Sequence, residues 1–133
     1  MKALWTAIIN RSSGSTFSSN VGKRIYAGQA PQKTSFPFCV FHQLPGEVEY
    51  VSRARYETIP IQFSIYTQES SPSNIGTYAD NLKSRFDDCT LAVSGYHFGK
   101  MERQNPGVIL PDQKEGIWHY AIDYDVLLRK VST

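Results

Sequence analysis

The sequence predicts an α+β fold in which two main helices pack on one face of a mostly antiparallel sheet of about four to five strands. Two stretches, residues 56–67 and 117–129, alternate apolar and polar residues with the period of two that is typical of strands. Two others, residues 2–11 and 72–87, repeat apolar residues at helical spacing. The short connections between these elements favour antiparallel pairing over parallel crossovers.

The N-terminal part of the chain is predicted to hold one helix and two strands. The apolar face of this helix consists of Leu4, Trp5, Ile8 and Ile9. The serine-rich residues 12–20 predict a loop, because serine and asparagine side chains compete for backbone hydrogen bonds. Strands are predicted at 24–27 and 36–44, and Pro45-Gly46 indicates a turn after the second of them.

The middle of the chain is predicted to hold the longest strand and the second helix. Residues 47–55 are charged and are predicted to form a flexible arm that leads into the strand at 56–67. Pro60 cannot donate a hydrogen bond to a neighbouring strand, so this strand is expected to lie at a sheet edge or to be bulged there. Ser71 is the predicted N-cap of the helix at 72–87.

The C-terminal part is predicted to be mainly strand. A strand interrupted near Gly95 is predicted at 90–98, and the chain is expected to stay extended to residue 103. A polar loop follows at 111–116. The last strand, 117–129, is long and is expected to be central in the sheet.

Length and composition limit the classes of protein to which the chain can belong. A chain of 133 residues suits one domain, so residues 1–133 are expected to fold as a unit. A net charge of +2 gives no basic footprint for nucleic acid, and no apolar run approaches the length of a membrane span. Cys39 and Cys89 are expected to be small buried hydrophobes, although a bridge between them is possible.

One set of residues could carry chemistry. His119, Asp123 and Asp125 share one face of the last strand and could surround a metal ion or a water molecule. A solvated sheet face is the favoured interpretation, because no recognised catalytic or metal-binding motif accompanies them. The spacing also leaves open a nucleophilic pairing of either cysteine with one of the three histidines.

Two charged clusters have ordinary structural interpretations. Asp87-Asp88 ends the second helix, where the carboxylates could pair with Lys83 or Arg85 or simply be solvated. A basic patch with neighbouring tyrosines could stack single-stranded nucleic acid, but nearby glutamates dilute its charge. Its basic members would be Lys23, Arg24, Arg53 and Arg55.

The order and spacing of several segments over nearly the whole chain resemble those of a known family. The segments are Leu4-Trp5 with Ile8-Ile9, Arg24 to Pro31, Phe36 to Val40, Ile61 to Thr67, Tyr78-Ala79 with Leu82, Glu102-Arg103, and Gly116 to Leu128. In these features the chain resembles the phage tail-completion family, whose members are small tail-terminator or tail-to-head joining proteins. The motifs are individually weak, and the similarity rests on their order.

The resemblance implies a structural virion protein without catalytic residues, metal or cofactor. Such subunits form a ring, usually hexameric, that ends tail-tube polymerisation and offers a docking surface to the head-completion protein at the neck. Genomic DNA passes through the lumen of the ring without specific binding. The expected partners are therefore copies of the chain itself, the tail-tube protein and the neck protein, in the virion after assembly in the host cytoplasm and with no membrane involved.

Candidate contact residues follow from the ring hypothesis. The candidate subunit or partner contacts are Glu49, Arg53, Arg55 and Pro60. Asp123 and Asp125 are candidate lumen-facing residues, with Asp87-Asp88 as a further possibility. Three alternatives remain at this level: another head–tail connector or neck component, a small nucleic-acid-binding module, and a small enzyme that uses His119.

Overall fold

The computed structural model of the protein describes residues 2–45, 47–51, 54–112, 114 and 116–131, with only the backbone at 47–51, 54 and 55. The helices are α1 (Lys2–Ser12), α2 (Thr16–Asn20) and α3 (Ser73–Phe86). The strands are β1 (Ile25–Ala27), β2 (Phe38–Gln43), β3 (Glu47–Val51), β4 (Ala54–Gln68), β5 (Tyr96–Arg103), β6 (Val108–Pro111) and β7 (Ile117–Lys130). In these residues no helix is long and apolar enough to cross a membrane.

The seven strands form one sheet, in the order β1-β2-β4-β7-β5. β3 pairs with β4 on the β2 side, and β6 pairs with β7 on the β5 side. Every pairing is antiparallel except that of β1 with β2. The α+β class, the mostly antiparallel sheet and the central position of β7 are confirmed. The sheet has more strands than expected because β4 and β7 are each flanked by two short strands in succession.

Pro60 lies inside the sheet, so the expectation of an edge strand or a bulge at this position is wrong. It is opposite Asp125 of β7, and its carbonyl accepts a 2.8 Å hydrogen bond from the Leu44 amide. Along β4, the residues that pair with β3 end at Thr58, and those that pair with β2 begin at Ile61. The missing N–H therefore faces the break between β2 and β3, where the ladder does not require a donor.

The segment predicted as a flexible arm is largely a strand. β3 pairs with the beginning of β4 from Glu47↔Thr58 to Val51↔Ala54, so the two strands form a hairpin. This hairpin extends beyond the ladder of β4 with β7, which begins at Tyr56↔Arg129. The alternation of Glu47 and Glu49 with apolar residues was the strand signal that the charges obscured.

The core lies between the three helices and one face of the sheet, here called the covered face. β4 and β7 supply its centre through Ile61, Phe63, Ile122 and Tyr124, all fully buried. The helical residues that pack there include Leu4, Ile8, Phe17, Ile75, Leu82 and Phe86. Both predicted main helices are therefore present on the expected single side of the sheet.

The C-terminal ends of α1 and α3 cap each other. The Arg11 Nε atom donates to the Arg85 carbonyl at 3.1 Å, and the Arg85 Nε atom donates to the Arg11 carbonyl at 2.5 Å. Carbonyl groups in the last turn of a helix have no partner within the helix and carry partial negative charge. The reciprocal arrangement satisfies one such group on each helix and fixes the two helix ends together.

Two predicted features near the helices are wrong. The serine-rich segment contains α2, because the Ser15 hydroxyl caps it by accepting from the Ser18 amide at 3.1 Å. Ser71 does not cap α3; the N-cap position is Pro72. The Glu69 carboxylate caps the helix instead, since it accepts a hydrogen bond from the Ile75 amide at 3.3 Å.

The strand predicted at 90–98 begins only at Tyr96. Cys89, Leu91 and Val93 are buried in alternation with exposed neighbours, as in a strand, but residues 90–95 are not part of a ladder. Periodicity reports which side chains are buried and not whether the backbone is paired. Both cysteines are buried thiols, as expected, and the Cys89 sulfur lies 3.5 Å from the Met101 sulfur.

Candidate assembly surface

The sheet face opposite the helices, here called the open face, carries a mixed set of half-buried side chains. In the described part of the chain, the helices pack on the covered face, so no helix covers the polar and apolar side chains of the open face. The open face includes Phe38, Val40 and His42 of β2, Pro60, Gln62, Ser64 and Tyr66 of β4, and His119, Ala121, Asp123, Asp125 and Leu127 of β7. A sheet with one uncovered face is typical of antiparallel architecture.

An aromatic row crosses the open face from β2 to β7. The rings of Phe38 and Tyr66 stack with centroids 5.0 Å apart, and those of Tyr66 and His119 stack at 4.5 Å with an interplanar angle of 8°. Phe36 extends the row, with its ring 5.3 Å from that of Phe38. Cross-strand pairs of this kind stabilise a sheet and set its register.

His119 is part of this row, and its surroundings favour the neutral form of the ring. Burial lowers the pKa of His119, against a weaker opposing effect of the nearby Asp112 carboxylate. Its Nε2 atom is buried and has no hydrogen-bond partner in the described residues. Because the ring stacks on Tyr66 and its Nε2 atom contacts neither carboxylate, this geometry does not support the alternative in which His119, Asp123 and Asp125 surround a metal ion or a water molecule.

Asp123 is fixed by amide side chains on both sides. Its Oδ1 atom accepts from Gln62 Nε2 at 3.0 Å, and its Oδ2 atom accepts from Asn105 Nδ2 at 3.1 Å. Asn105 in turn accepts from the Gly107 amide at 3.1 Å. The carboxylate thus connects β4, β7 and the turn that leads into β6.

Asp125 lies two residues further along β7 on the same face, opposite Glu102 of β5. Glu102 forms an ion pair with Lys100 at 2.8 Å. In the part of the chain that the structure describes, no group of three or more His, Cys, Asp or Glu residues could hold a metal ion. The two candidate lumen-facing carboxylates therefore share one face of the sheet, but they do not form a metal centre.

Asp87 lies on the other side of the sheet from Asp123. Its Oδ1 atom accepts a 2.6 Å hydrogen bond from the hydroxyl of Tyr124, on the covered face, and lies 3.4 Å from the Nε atom of Arg103. In the described part of the chain, the ion-pair partner of Asp87 is thus Arg103 and neither Lys83 nor Arg85. The carboxylate and burial together raise the pKa of Tyr124, with burial as the larger cause.

The candidate contact residues fall in two places. Glu49 and Arg55 belong to the β3–β4 hairpin, where the structure describes the backbone alone, and Arg53 lies outside the described residues. Pro60 lies on the open face in the middle of β4. The structure thus puts Glu49 and Arg55 near the tip of one hairpin and separates Pro60 from them.

The suggested basic patch is not assembled. The Arg24 carbonyl accepts a hydrogen bond from the Cys39 amide, and Cys39 lies opposite Ile65 of β4. Arg55 lies ten residues before Ile65 on the same strand. Ten residues of strand span about 30 Å. The Arg24 side chain is also engaged, since its Nε atom donates to the Pro37 carbonyl at 3.0 Å.

The exposed strand β6 was not recognised in the sequence. Val108, Ile109 and Leu110 have exposed fractions of 49%, 37% and 47%. A short run of β-branched and aliphatic residues between Pro106-Gly107 and Asp112 was the available signal. Among the residues whose side chains are described, only Ile9 and Val131 are large apolar residues of comparable exposure.

Comparison with solved structures finds a similarity of fold over nearly the full length of the chain. A chain in a structure described as "Virion of native gene transfer agent (GTA) particle" superposes with a TM-score of 0.79, over 96% of this chain and 96% of that chain. The chain shares the fold of a virion component. The sequence identity is 11%, so the likeness concerns the fold. No protein-family model and no curated protein matches the sequence.

Proposed function

We propose that the protein is a structural virion subunit that forms a ring at the head-proximal end of a phage-type tail. In this role it ends polymerisation of the tail tube and offers the docking surface for the neck of the head. The full-length fold match to a chain of the gene transfer agent virion is the observation that carries the proposal. The order of sequence segments described above supports the choice of a tail-completion protein among virion components.

The two margins of the sheet support the proposal of a ring. A closed ring is built from heterologous contacts, in which one patch of a subunit meets a different patch of the next. The sheet ends in two unlike margins, with the parallel strand β1 and the antiparallel strand β3 on one side and the antiparallel strands β5 and β6 on the other. A ring of six copies is the proposed stoichiometry.

The open face is proposed to line the lumen of the ring. Asp123 and Asp125 then face the passing DNA, while Asp87, on the helix side, does not. Carboxylates repel phosphate, and a channel that binds phosphate weakly lets DNA slide. The network of Gln62 and Asn105 around Asp123 keeps that carboxylate in place, and among the described side chains its hydrogen-bond donors are these two neutral amides.

The β3–β4 hairpin is proposed to contact the tail-tube protein or the neck protein. It extends past the ladder with β7 and includes Glu49 and Arg55, whereas the candidate contact Arg53 lies outside the described residues. Charged residues of both signs in one short segment of the sequence suit a specific, salt-sensitive contact. Pro60 is proposed to act through the open face and not through this hairpin.

The test is electron microscopy of the tail-tube protein polymerised with and without this protein. Capped tubes of limited length are expected, with a ring at one end. As a matched pair, Arg55→Glu should weaken capping, whereas Lys114→Glu, which changes the charge by the same amount elsewhere on the surface, should not. Tubes of unlimited length in the presence of excess protein would exclude the terminator role. Binding to the neck protein without any effect on tube length would instead make the chain a neck component.

A further inference from the structure

We propose that the guanidinium groups of Arg11 and Arg85 form a binding site for a carboxylate group of a partner protein. The two arginines join the C-terminal ends of α1 and α3, but this capping uses only a small part of their hydrogen-bonding capacity. The site itself follows from the contacts of the two side chains, whereas the choice of a protein as the source of the carboxylate rests on the proposed function.

Both guanidinium groups are held in place by main-chain acceptors. The Nε atom of each arginine donates to the carbonyl of the other, so neither side chain is free to leave the joined helix ends. Their charges also act on one neighbouring group, the Cys89 thiol. Burial raises the pKa of this thiol, and the charges of Arg11 and Arg85 both oppose the increase. The two positive charges therefore lie close to the same point, and a preformed pair of this kind loses little conformational entropy when it binds.

Most of the donors of the pair remain available. A guanidinium group has five N–H donors, and the hydrogen bonds from Arg11 and Arg85 to oxygen atoms of described residues involve Nε alone. Among the described residues that are not exposed, the buried oxygen and nitrogen atoms without a hydrogen-bond partner are Thr67 Oγ1 and His119 Nε2. The Nη atoms of the two half-buried arginines are therefore in contact with solvent, where a ligand can reach them.

The positive charge of the pair is only partly compensated within the molecule. Each helix C-terminus carries roughly half a negative charge, so the two ends together offset about half of the two positive charges. In the described residues, no ion pair joins Arg11 or Arg85 to Asp88 or to any other acid. Asp87, which follows α3 directly, pairs with Arg103 instead. An anion bound to the pair would supply the missing charge.

The chemistry and position of the pair favour a carboxylate from a protein. Two guanidinium forks bind the oxygens of an oxyanion through paired, charge-assisted hydrogen bonds, and they match the planar carboxylate closely. The arginines belong to helices on the covered face, whereas the open face is the one proposed to line the lumen. In that arrangement the pair faces away from the DNA. An aspartate or glutamate side chain of a neighbouring virion protein is the ligand that this position allows.

The direct test measures the binding of a fluorescent hexaglutamate peptide to the full chain at low ionic strength. The double variant Arg11→Gln with Arg85→Gln should bind the peptide more than about tenfold more weakly, because it loses the charge-assisted hydrogen bonds of both forks. Lys2→Gln with Lys33→Gln is the matched control, since it removes two positive charges from exposed positions. Its affinity should change less than about twofold. Equal losses in the two variants would show a diffuse attraction and would overturn the site.

A second measurement uses the unchanged protein, because the substitutions at Arg11 and Arg85 also remove the reciprocal caps. On addition of the peptide, the side-chain Nε resonances of Arg11 and Arg85 in heteronuclear NMR spectra should shift more than that of Arg24. Arg24 is a suitable reference, since its Nε atom also donates to a main-chain carbonyl. Shifts of the same size at all three arginines would contradict a specific site.

The source of the carboxylate is tested with the proposed partners. The folded double variant should be released from tail tubes or from the neck protein at a lower salt concentration than the Lys2 and Lys33 control. If it instead loses binding to oligothymidine while its attachment to both proteins is unchanged, the ligand is a nucleic-acid phosphate, and the assignment to a protein carboxylate is overturned.

The outcomes separate this inference from the proposed function. If the unchanged protein attaches to neither tail tubes nor the neck protein, the proposed function falls, while the peptide and NMR measurements still decide whether the arginine pair is a carboxylate site. If the unchanged protein caps tail tubes but Arg11 and Arg85 do not respond to the peptide, only the site is overturned.

Discussion

The two faces of the same two strands differ in what their side chains do. On the covered face, Ile61 and Phe63 of β4 meet Tyr124 and Ile122 of β7 in a fully buried core. On the open face, the intervening residues of these strands form a stacked row and a carboxylate–amide network that remain half-buried. One face therefore stabilises the fold and the other is available for contacts, and the following substitutions test that division.

The largest effect is expected from aromatic residues on opposite faces of β4. Phe63→Ala should reduce the free energy of unfolding by about 3–5 kcal/mol, because it leaves a cavity among Phe41, Phe86 and Tyr124. Tyr66→Ala, three residues away on the open face, should cost about 1 kcal/mol, since it removes the stacking contacts of a half-buried ring and leaves no cavity in the core. Urea denaturation of both variants measures the difference. Equal losses would show that the open face contributes to stability as much as the core.

A substitution at Gly107 tests the turn before β6, which contacts Asp123 on the open face and Tyr120 on the covered face. Its φ is +81°, and an added Cβ would lie 2.1 Å from the Tyr120 hydroxyl. Gly107→Ala should therefore cost about 3 kcal/mol from backbone strain and the clash. Gly28→Ala is the matched control, because Gly28 has a φ of +84° and open space around it, so it isolates the strain. If the two variants have the same thermal midpoint, the contact with Tyr120 has no energetic importance.

A smaller effect is expected from the hydrogen bond between Tyr124 and the Asp87 carboxylate on the covered face. Tyr124→Phe removes the hydroxyl that donates to Asp87 and should lower the free energy of unfolding by about 2 kcal/mol, as for hydrogen bonds to charged groups. Tyr120→Phe removes a bond to the neutral Pro106 carbonyl and should cost about 1 kcal/mol. Chemical denaturation at neutral pH compares them. A larger loss for Tyr120→Phe would reverse the assigned importance of the two hydroxyls.

The smallest effect concerns pH and His119. Because burial lowers the pKa of His119 in the folded protein below its usual 6.5, the neutral form is favoured by folding. The corresponding stability is complete above about pH 6.5 and is lost as the pH falls toward the folded-state pKa. The difference between the urea midpoints at pH 8 and pH 5 should be smaller in His119→Phe, which keeps a ring beside Tyr66, than in the unchanged protein. An identical pH dependence in both proteins would contradict this role.

The sequence predicts the covered face better than the margins of the sheet. The alternation in β4 and β7 identifies their buried residues because burial determines the period directly, and the helices follow for the same reason. Pro60 was misplaced because the decisive fact, the break between β2 and β3, depends on the neighbouring strands and not on β4 itself. Local patterns cannot specify which backbone groups meet across a sheet.

On the open face, too, the sequence predicts the side on which a residue lies but not its neighbours on other strands. The sequence places Asp123 and Asp125 on one face, and the structure confirms this positioning. The aromatic row was not foreseen, because Phe38, Tyr66 and His119 are far apart in the chain and meet only through strand register. The short strand β6 was hidden between two turns, where four residues are too few for a periodic signal.

The ladder between β4 and β7 has a mechanical consequence. It runs without a bulge over thirteen pairs, from Tyr56↔Arg129 to Gln68↔Ile117. Hydrogen bonds of an antiparallel pair lie perpendicular to the strands, so tension applied along β4 and β7 in opposite directions strains all of these bonds at once. The sheet therefore resists a force along the strands more strongly than a force across them, because a force across the strands would break the same bonds one after another.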